Sequence, residues 1–491
     1  MYRTDKVSAI GFDTIANLFL PSTIDACFAH PGDGAVPGIK NDAGDWEVRG
    51  HAKRIVHVDP DALATFARLY DDQGTEPVEA RLPAIHSTQV AAVLAKFVAA
   101  SRRFSDFEAE VDMTVMFDEA AAQRSGLLRR QTGFPPSSEA LVLSGPHFFV
   151  GNPLYKTPRS ICSSNLQYDV LDLDTLPYDY LPRCNFVPEL SLNLFRTRVP
   201  SLPWNEKPST SVFRLVVSRG LSLGGERTLQ PAIIIPGPCH IDGVFSIAFK
   251  DLPFMAETAG NWSSIPFDFF VKAAAKGDFR ANLARIMPVV DRGHADQVAV
   301  RALLLNCLTH WYAELWSECF RSAFLNDRWT KCDDRLRVDV FTNLGPEWRR
   351  RTPLRSHYAR RQALVEIDVL TSMSMGLTLE ELKSIWRVQF PIARRYESET
   401  FYDSRGRIAF TASRGLVDVG LPRHDWLRAK QLSIGETITQ IVIDDTQPGG
   451  PRERTISYVA PFDRCDREAD YEIAWAEFER RRNGASAEAA Q

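Results

Sequence analysis

Several function classes lack their minimum equipment in this sequence. The eight cysteines, at 27, 162, 184, 239, 307, 319, 332 and 465, form no C-x-x-C pair and no Cys/His spacing of the kind that closes a zinc site. We therefore expect no metal site and a reduced, cytoplasmic setting. Cys239-His240 is the only adjacent pair of soft ligands, and it reads as a partly buried turn. Neither sign of charge dominates: 58 Lys and Arg against 62 Asp and Glu leave a formal charge of -4, so composition advertises no nucleic acid and no acidic tail. Met1 to Lys6 lack the apolar stretch of a signal peptide. The longest apolar region, Val298 to Phe324, is interrupted by Arg301, Asn306, His310 and Glu314, which argues against a membrane span. There is no G-x-x-x-x-G-K-S/T phosphate loop, no G-x-S-x-G elbow, no H-E-x-x-H helix and no repeat of solenoid period. Glu381-Leu382-Lys383 is the nearest approach to a carboxylate-metal nuclease motif, and it reads as a solvated helix surface. No catalytic residue is nominated.

What remains is a folded chain of 491 residues, 44% hydrophobic and long enough for about three domains. Its pattern predicts an α+β fold. Residues 1 to 45, with the turn Pro31-Gly32-Asp33-Gly34, are expected to drape over other structure. Ile55 to Val58 reads as a strand, and Asp59-Pro60 opens a helix with Leu63, Phe66 and Leu69 on one face. Ser87 is placed to cap a second helix carrying Val90, Val93, Leu94, Phe97 and Val98 at amphipathic spacing.

From 126 to 265 short apolar runs alternate with Pro and Gly. Leu141-Val142-Leu143, Phe148-Phe149-Val150, Phe213 to Val217 and Ala232 to Ile235 are expected strands of a mixed sheet. Gln297 to Phe324 reads as one long core helix, with Leu304, Leu308, Trp311, Leu315 and Phe320 near one face. Thr378-Leu379-Glu380-Glu381 fits a capping box, Pro391 ends or kinks that helix, and a strand is expected at Arg407 to Phe410. Ile438 to Ile443 and Thr455 to Tyr458 read as hairpin partners across Gly449-Gly450-Pro451, and the tail from Arg481 as frayed. The expected segments are 1–125, 126–345, 346–480 and a disordered 481–491.

The clearest electrostatic feature is the run from Arg349 to Arg361, which holds Arg349, Arg350, Arg351, Arg355, Arg360 and Arg361 and no acid. Guanidinium forks suit phosphate oxygens. The competing expectation is a solvated helix start, or ion pairs with the acidic stretch Asp463 to Glu479. Asn152-Pro153-Leu154-Tyr155 differs at one position from the Asn-Pro-Pro-Tyr turn with which amino-methyltransferases hold a flipped base, and no glycine-rich methyl-donor loop precedes it.

Longer blocks carry a resemblance. Leu143 to Phe148, Asn152 to Arg159, Tyr168 to Leu173, Glu226-Arg227-Thr228-Leu229, Ala363 to Leu370, Val388 to Pro391, Thr400 to Asp403 and Pro461 to Glu468 resemble, in the family's order, the part of large adenine-specific DNA methyltransferases that follows their catalytic core. These enzymes belong to bacterial restriction-modification and phage-defence systems. The resemblance spans about residues 50 to 480. It implies the target-recognition half without a complete methyltransferase Rossmann core: a helix-rich N-terminal part docking a catalytic chain, a mixed-sheet recognition domain, and a helical C-terminal part with a small hairpin. Met1 stands close to where the family's core would end, which implies a separate polypeptide in a hetero-oligomer. S-adenosylmethionine would then sit on the partner chain, with none bound here. Double-stranded DNA would be contacted by the arginine run, with base edges read by loops between 126 and 345; Lys156, Thr157 and Arg159 are the candidates there. Two alternatives stay open: an interaction component of a defence assembly that reads no DNA, and a complete but divergent DNA methyltransferase.

Overall fold

A computed structural model describes residues 11 to 489, apart from 42, 73, 100 and 101, with side chains described as far as 484. The expectations placed on Met1 to Lys6 and on the last two residues lie outside the described part. The fold is α+β. Four strands form its central sheet in the order Pro231–Ile234, Arg214–Ser218, Val244–Phe249, Val111–Thr114, every neighbouring pair antiparallel. Side chains on a strand alternate between faces, and here each face has its own cluster. Leu215, Val217, Ile233, Phe245 and Ile247 join the main core, whereas Val216, Ala232, Ile234 and Val244 pack with Leu141, Leu143, Phe148 and Cys184 on the other side. Cover on both faces explains why these strands read as continuous apolar runs rather than alternating ones.

Helices Leu252–Trp262 and Ala295–Asn306 pack together beside the sheet. Gly260 allows their close approach, since a Cβ there would stand 2.5 Å from Val298 Cγ1. Against them lies the helix His357–Ser374, which contacts Leu379–Gln389 and the C-terminal Arg467–Ala489 in turn. The main hydrophobic cluster runs from Val56 to Phe478 and crosses the boundaries expected at 125 and 345. A satellite cluster around Phe117, Leu128, Phe186 and Phe195 stands apart from it.

Local signals read from sequence reappear in detail. Ser87 accepts from Val90 N, Thr378 and Glu381 cap one another, and Thr437–Asp444 pairs with Arg452–Val459 as a hairpin. Five readings change. The helix expected to run to Phe324 breaks after Asn306, whose Oδ1 accepts from Ile233 N of the sheet at 2.8 Å while its Nδ2 returns to Ala302 O at 2.8 Å. Phe148 to Val150 is no strand; Phe149 and Asn152 exchange backbone hydrogen bonds in a tight turn that needs Gly151 at φ +62°. Cys239–His240 is a buried strand beside Val142–Leu143, not a turn, and His240 bonds Ser246 Oγ at 2.8 Å. Lys383 is buried and paired with Glu472 rather than solvated. Arg481 does not begin a frayed tail, because it bonds Asp327 at 3.0 Å and the carbonyls of Arg328 and Trp329 at 3.1 Å each. Among the described residues no helix is long and apolar enough to cross a membrane.

Candidate functional site

The arginine run divides into two populations. Arg360 lies on the first turns of the helix His357–Ser374 and faces inward. Its guanidinium donates to the carbonyls of Leu305 at 2.8 Å, Leu354 at 2.9 Å and Gly151 at 2.9 Å. Burial pushes its pKa down to about 9, still above neutrality. Arg361 is buried too and spans Glu397, 2.7 Å from its Nε, and Asp470 at 2.5 Å. Glu397 also holds Arg467 at 2.7 Å, and Arg467 reaches Asp368 at 2.8 Å. These charges form an internal network whose members come from three helices, and Asp470 of the 463–479 stretch takes part in it and also pairs with Lys331 at 2.8 Å.

Arg350 and Arg355 are fastened at the surface. Arg350 donates to Leu176 O at 2.7 Å, and Arg355 to Leu173 O and Leu308 O at 2.7 Å each. They clamp the segment to the chain around 173–176. Arg349 and Arg351 are left exposed on this clamped segment. They share a shallow depression of about 50 Å³ with Arg337, Asp339, Asn343 and Glu347. Glu347, itself exposed, lies 3.5 Å from Arg349. Arg337 also is exposed and donates to Arg351 O at 3.2 Å. Sequence reasoning missed Arg337, because it stands between acids at Asp333, Asp334 and Asp339 and looks neutralised in the linear order.

Lys156, Thr157 and Arg159 do not join this cluster. The strand Lys156–Pro158 pairs antiparallel with Tyr168–Val170 to make a second hairpin. Thr157 is buried and accepts from Arg183 N at 2.9 Å. Arg159 is held by Asp169 at 2.7 Å, with Asp418 at 3.5 Å. The Lys156 ammonium lies 4.9 Å from the Tyr155 ring centre, and desolvation lowers its pKa.

Blocks far apart in sequence meet at a cavity of about 210 Å³ lined by Asn152, Tyr155, Glu226, Leu364, Tyr402 and Arg467, among others. Tyr155 stacks on Phe149 with ring centres 5.0 Å apart and donates to Gly415 O at 2.5 Å. Asn152 Oδ1 accepts from Leu154 N at 3.1 Å. The Asn152 side-chain oxygen and one face of the Tyr155 ring, the groups with which such a turn holds a base, thus both have partners within the protein. Glu226 accepts from Ser413 at 3.3 Å, and desolvation by the cavity wall raises its pKa. Among the described residues no group of three or more His, Cys, Asp or Glu is placed to hold a metal ion. Comparison with models of known protein families and with curated protein sequences produced no match for this chain.

Proposed function

We propose that this chain is the DNA-docking and sequence-recognition component of an adenine-specific DNA methyltransferase of a restriction-modification or phage-defence system. In this reading a separate catalytic chain in the cytoplasm supplies S-adenosylmethionine binding and methyl transfer. The observation that carries it is the surface segment clamped by Arg350 and Arg355, on which Arg349 and Arg351 stand exposed and share one depression with exposed Arg337. Exposed guanidinium groups on a held backbone position a duplex through its phosphates and say nothing about sequence. The central sheet and its adjoining hairpins then form the recognition part. That sheet is antiparallel throughout, unlike the parallel, doubly wound sheet at whose switch point a methyl donor would bind. The internal bonding of Asn152 and Tyr155 agrees with a structural turn rather than a base-holding one.

Docking of a partner chain finds support in the N-terminal segment, where Phe12, Leu18, Phe19, Leu20, Ile24 and Phe28 are all exposed within a short stretch. The same observation favours the second reading, an interaction component that reads no DNA. Methyl transfer to duplex DNA separates the possibilities. The chain alone is expected to be inactive and to increase the rate and site selectivity of its catalytic partner. Robust transfer by the chain alone would overturn the divided enzyme, and a partner complex with no affinity for duplex DNA would favour the second reading.

A further inference from the structure

The hairpin built by Lys156–Pro158 and Tyr168–Val170 carries a loop, residues 159–167, whose construction is unusual for a surface connection. Its ends are closed by Arg159 N donating to Gln167 O at 3.0 Å. The Gln167 side-chain oxygen accepts from Ser163 N at 2.7 Å, Ser163 Oγ at 2.9 Å and Ser164 N at 3.2 Å. Cys162 is buried and receives Asn185 Nδ2 at 3.3 Å, and Arg130 donates to Ser163 O at 2.9 Å. The loop is therefore pinned from inside and from the neighbouring strand Leu128–Gly133. Yet its two large apolar side chains point away from all of this: Ile161 is 83% exposed and Leu166 is 92% exposed. A pinned backbone presenting bare apolar groups has already lost the conformational entropy that a contact would otherwise cost.

The charge around the loop indicates what those groups meet. Arg129 is exposed on the adjoining strand, and among the described residues no carboxylate pairs with it; Arg130 bonds a carbonyl and lies over the Phe186 ring. Asp169 and Asp418 both face Arg159 at the loop base. An apolar tip beside Arg130, an exposed guanidinium that no carboxylate pairs with among the described residues, is complementary to a base stack beside a phosphate backbone, where apolar side chains wedge between base steps and partly unstack them. We propose that Ile161 and Leu166 form such a wedge, inserting into duplex DNA while Arg130 binds an adjacent phosphate. This rests on the DNA-recognition reading above, and it moves the base-contacting role from Lys156, Thr157 and Arg159 to the loop tip.

Unstacking changes DNA twist, which a closed circle records at any site along it. The purified full chain is incubated with a relaxed circular plasmid, the circle is re-relaxed with a topoisomerase, and the linking-number distribution is read after the protein is removed. Binding to the same plasmid is followed in parallel by filter retention across a salt series. The wild-type chain is expected to shift the distribution in proportion to the amount bound. Ile161→Ser/Leu166→Ser is expected to bind within about two-fold of wild type, because phosphate contacts dominate affinity, and to lose the shift. Both side chains are exposed, so the variant's thermal unfolding midpoint is expected to stay unchanged. A wild-type chain that binds without any shift, or a double variant that keeps the shift, overturns the wedge and leaves the DNA reading intact. Loss of partner-chain binding with unchanged DNA behaviour overturns it in favour of a protein surface. No salt-sensitive binding by wild type at all overturns the functional reading itself.

Discussion

Replacing Arg360 by methionine tests whether the arginine run is read correctly, because the structure gives that residue a wholly internal task. The guanidinium serves the carbonyls of Leu305, Leu354 and Gly151, which join the 295–306 helix, the loop before the 357–374 helix and the tight turn at Gly151. Methionine fills similar space but leaves these three acceptors without this donor. Each orphaned buried carbonyl costs roughly 1–3 kcal/mol, and release of a desolvated charge offsets part of the total, so the net loss is about 3–5 kcal/mol. Unfolding entropy of about 2 cal/mol/K per residue over a chain of 491 residues converts this to about 1 °C per kcal/mol. The calorimetric midpoint should therefore fall by about 3–5 °C. The double variant Arg349→Ala/Arg351→Ala removes exposed groups only, and surface changes of this kind stay within about 0.5 kcal/mol each, so its midpoint should move by no more than about 1 °C. An Arg360→Met protein that keeps the wild-type midpoint while losing DNA affinity would refute this division of the run.

Two further outcomes follow from buried polar groups. Asn306→Ala removes the acceptor for Ile233 N in the sheet and should lower stability by about 1–3 kcal/mol, measured by urea denaturation; an unchanged midpoint would mean that the helix break has another cause. Acid should destabilise the protein through its buried histidines. His86 and His240 are fully buried, and burial together with the nearby charges of Arg54 and Arg214 pushes them down to about 4 and about 3 from an ordinary 6.5. The unfolded chain binds protons at these sites below 6.5 whereas the folded chain does not, so stability falls as the pH drops through 6.5 towards 4. The slope from each is at most about 1.4 kcal/mol per pH unit. Unfolding midpoints that stay flat between pH 6.5 and 4.5 would contradict the assignment, as would a His240→Gln variant that keeps the full pH slope.

Contacts a few residues apart were legible in the sequence. The Thr378–Glu381 capping box and the Ser87 cap are such features, and the 437–459 hairpin was legible from the Gly449-Gly450-Pro451 turn between its two apolar runs. Contacts across the chain were not. Ion pairing of the arginine run with the acidic stretch 463–479 was among the expectations, and Arg361–Asp470 is such a pair, but that Arg360 serves Gly151 O and Arg361 also holds Glu397 emerges only from tertiary packing. The helix break at Asn306 is likewise set by a sheet amide 73 residues away, and propensity had no means of registering it. Arg337 escaped notice because the acids beside it in sequence, such as Asp333, bond elsewhere: Asp333 is taken up by Arg335 and Tyr358. In the loop at 159–167 the sequence offered Arg159, and only the exposures of Ile161 and Leu166 in the structure single those two out.

The most direct test of the central claim is the affinity of the purified chain for duplex DNA across a salt series from 50 to 200 mM. Binding through phosphates should weaken steadily, with log K falling against log salt at about 0.9 per phosphate contacted. Removing Arg337, Arg349 and Arg351 together should flatten that slope by about two to three units at an unchanged unfolding midpoint. A wild-type affinity that does not respond to salt, or a triple variant with the wild-type slope, would contradict a DNA-docking role for this surface.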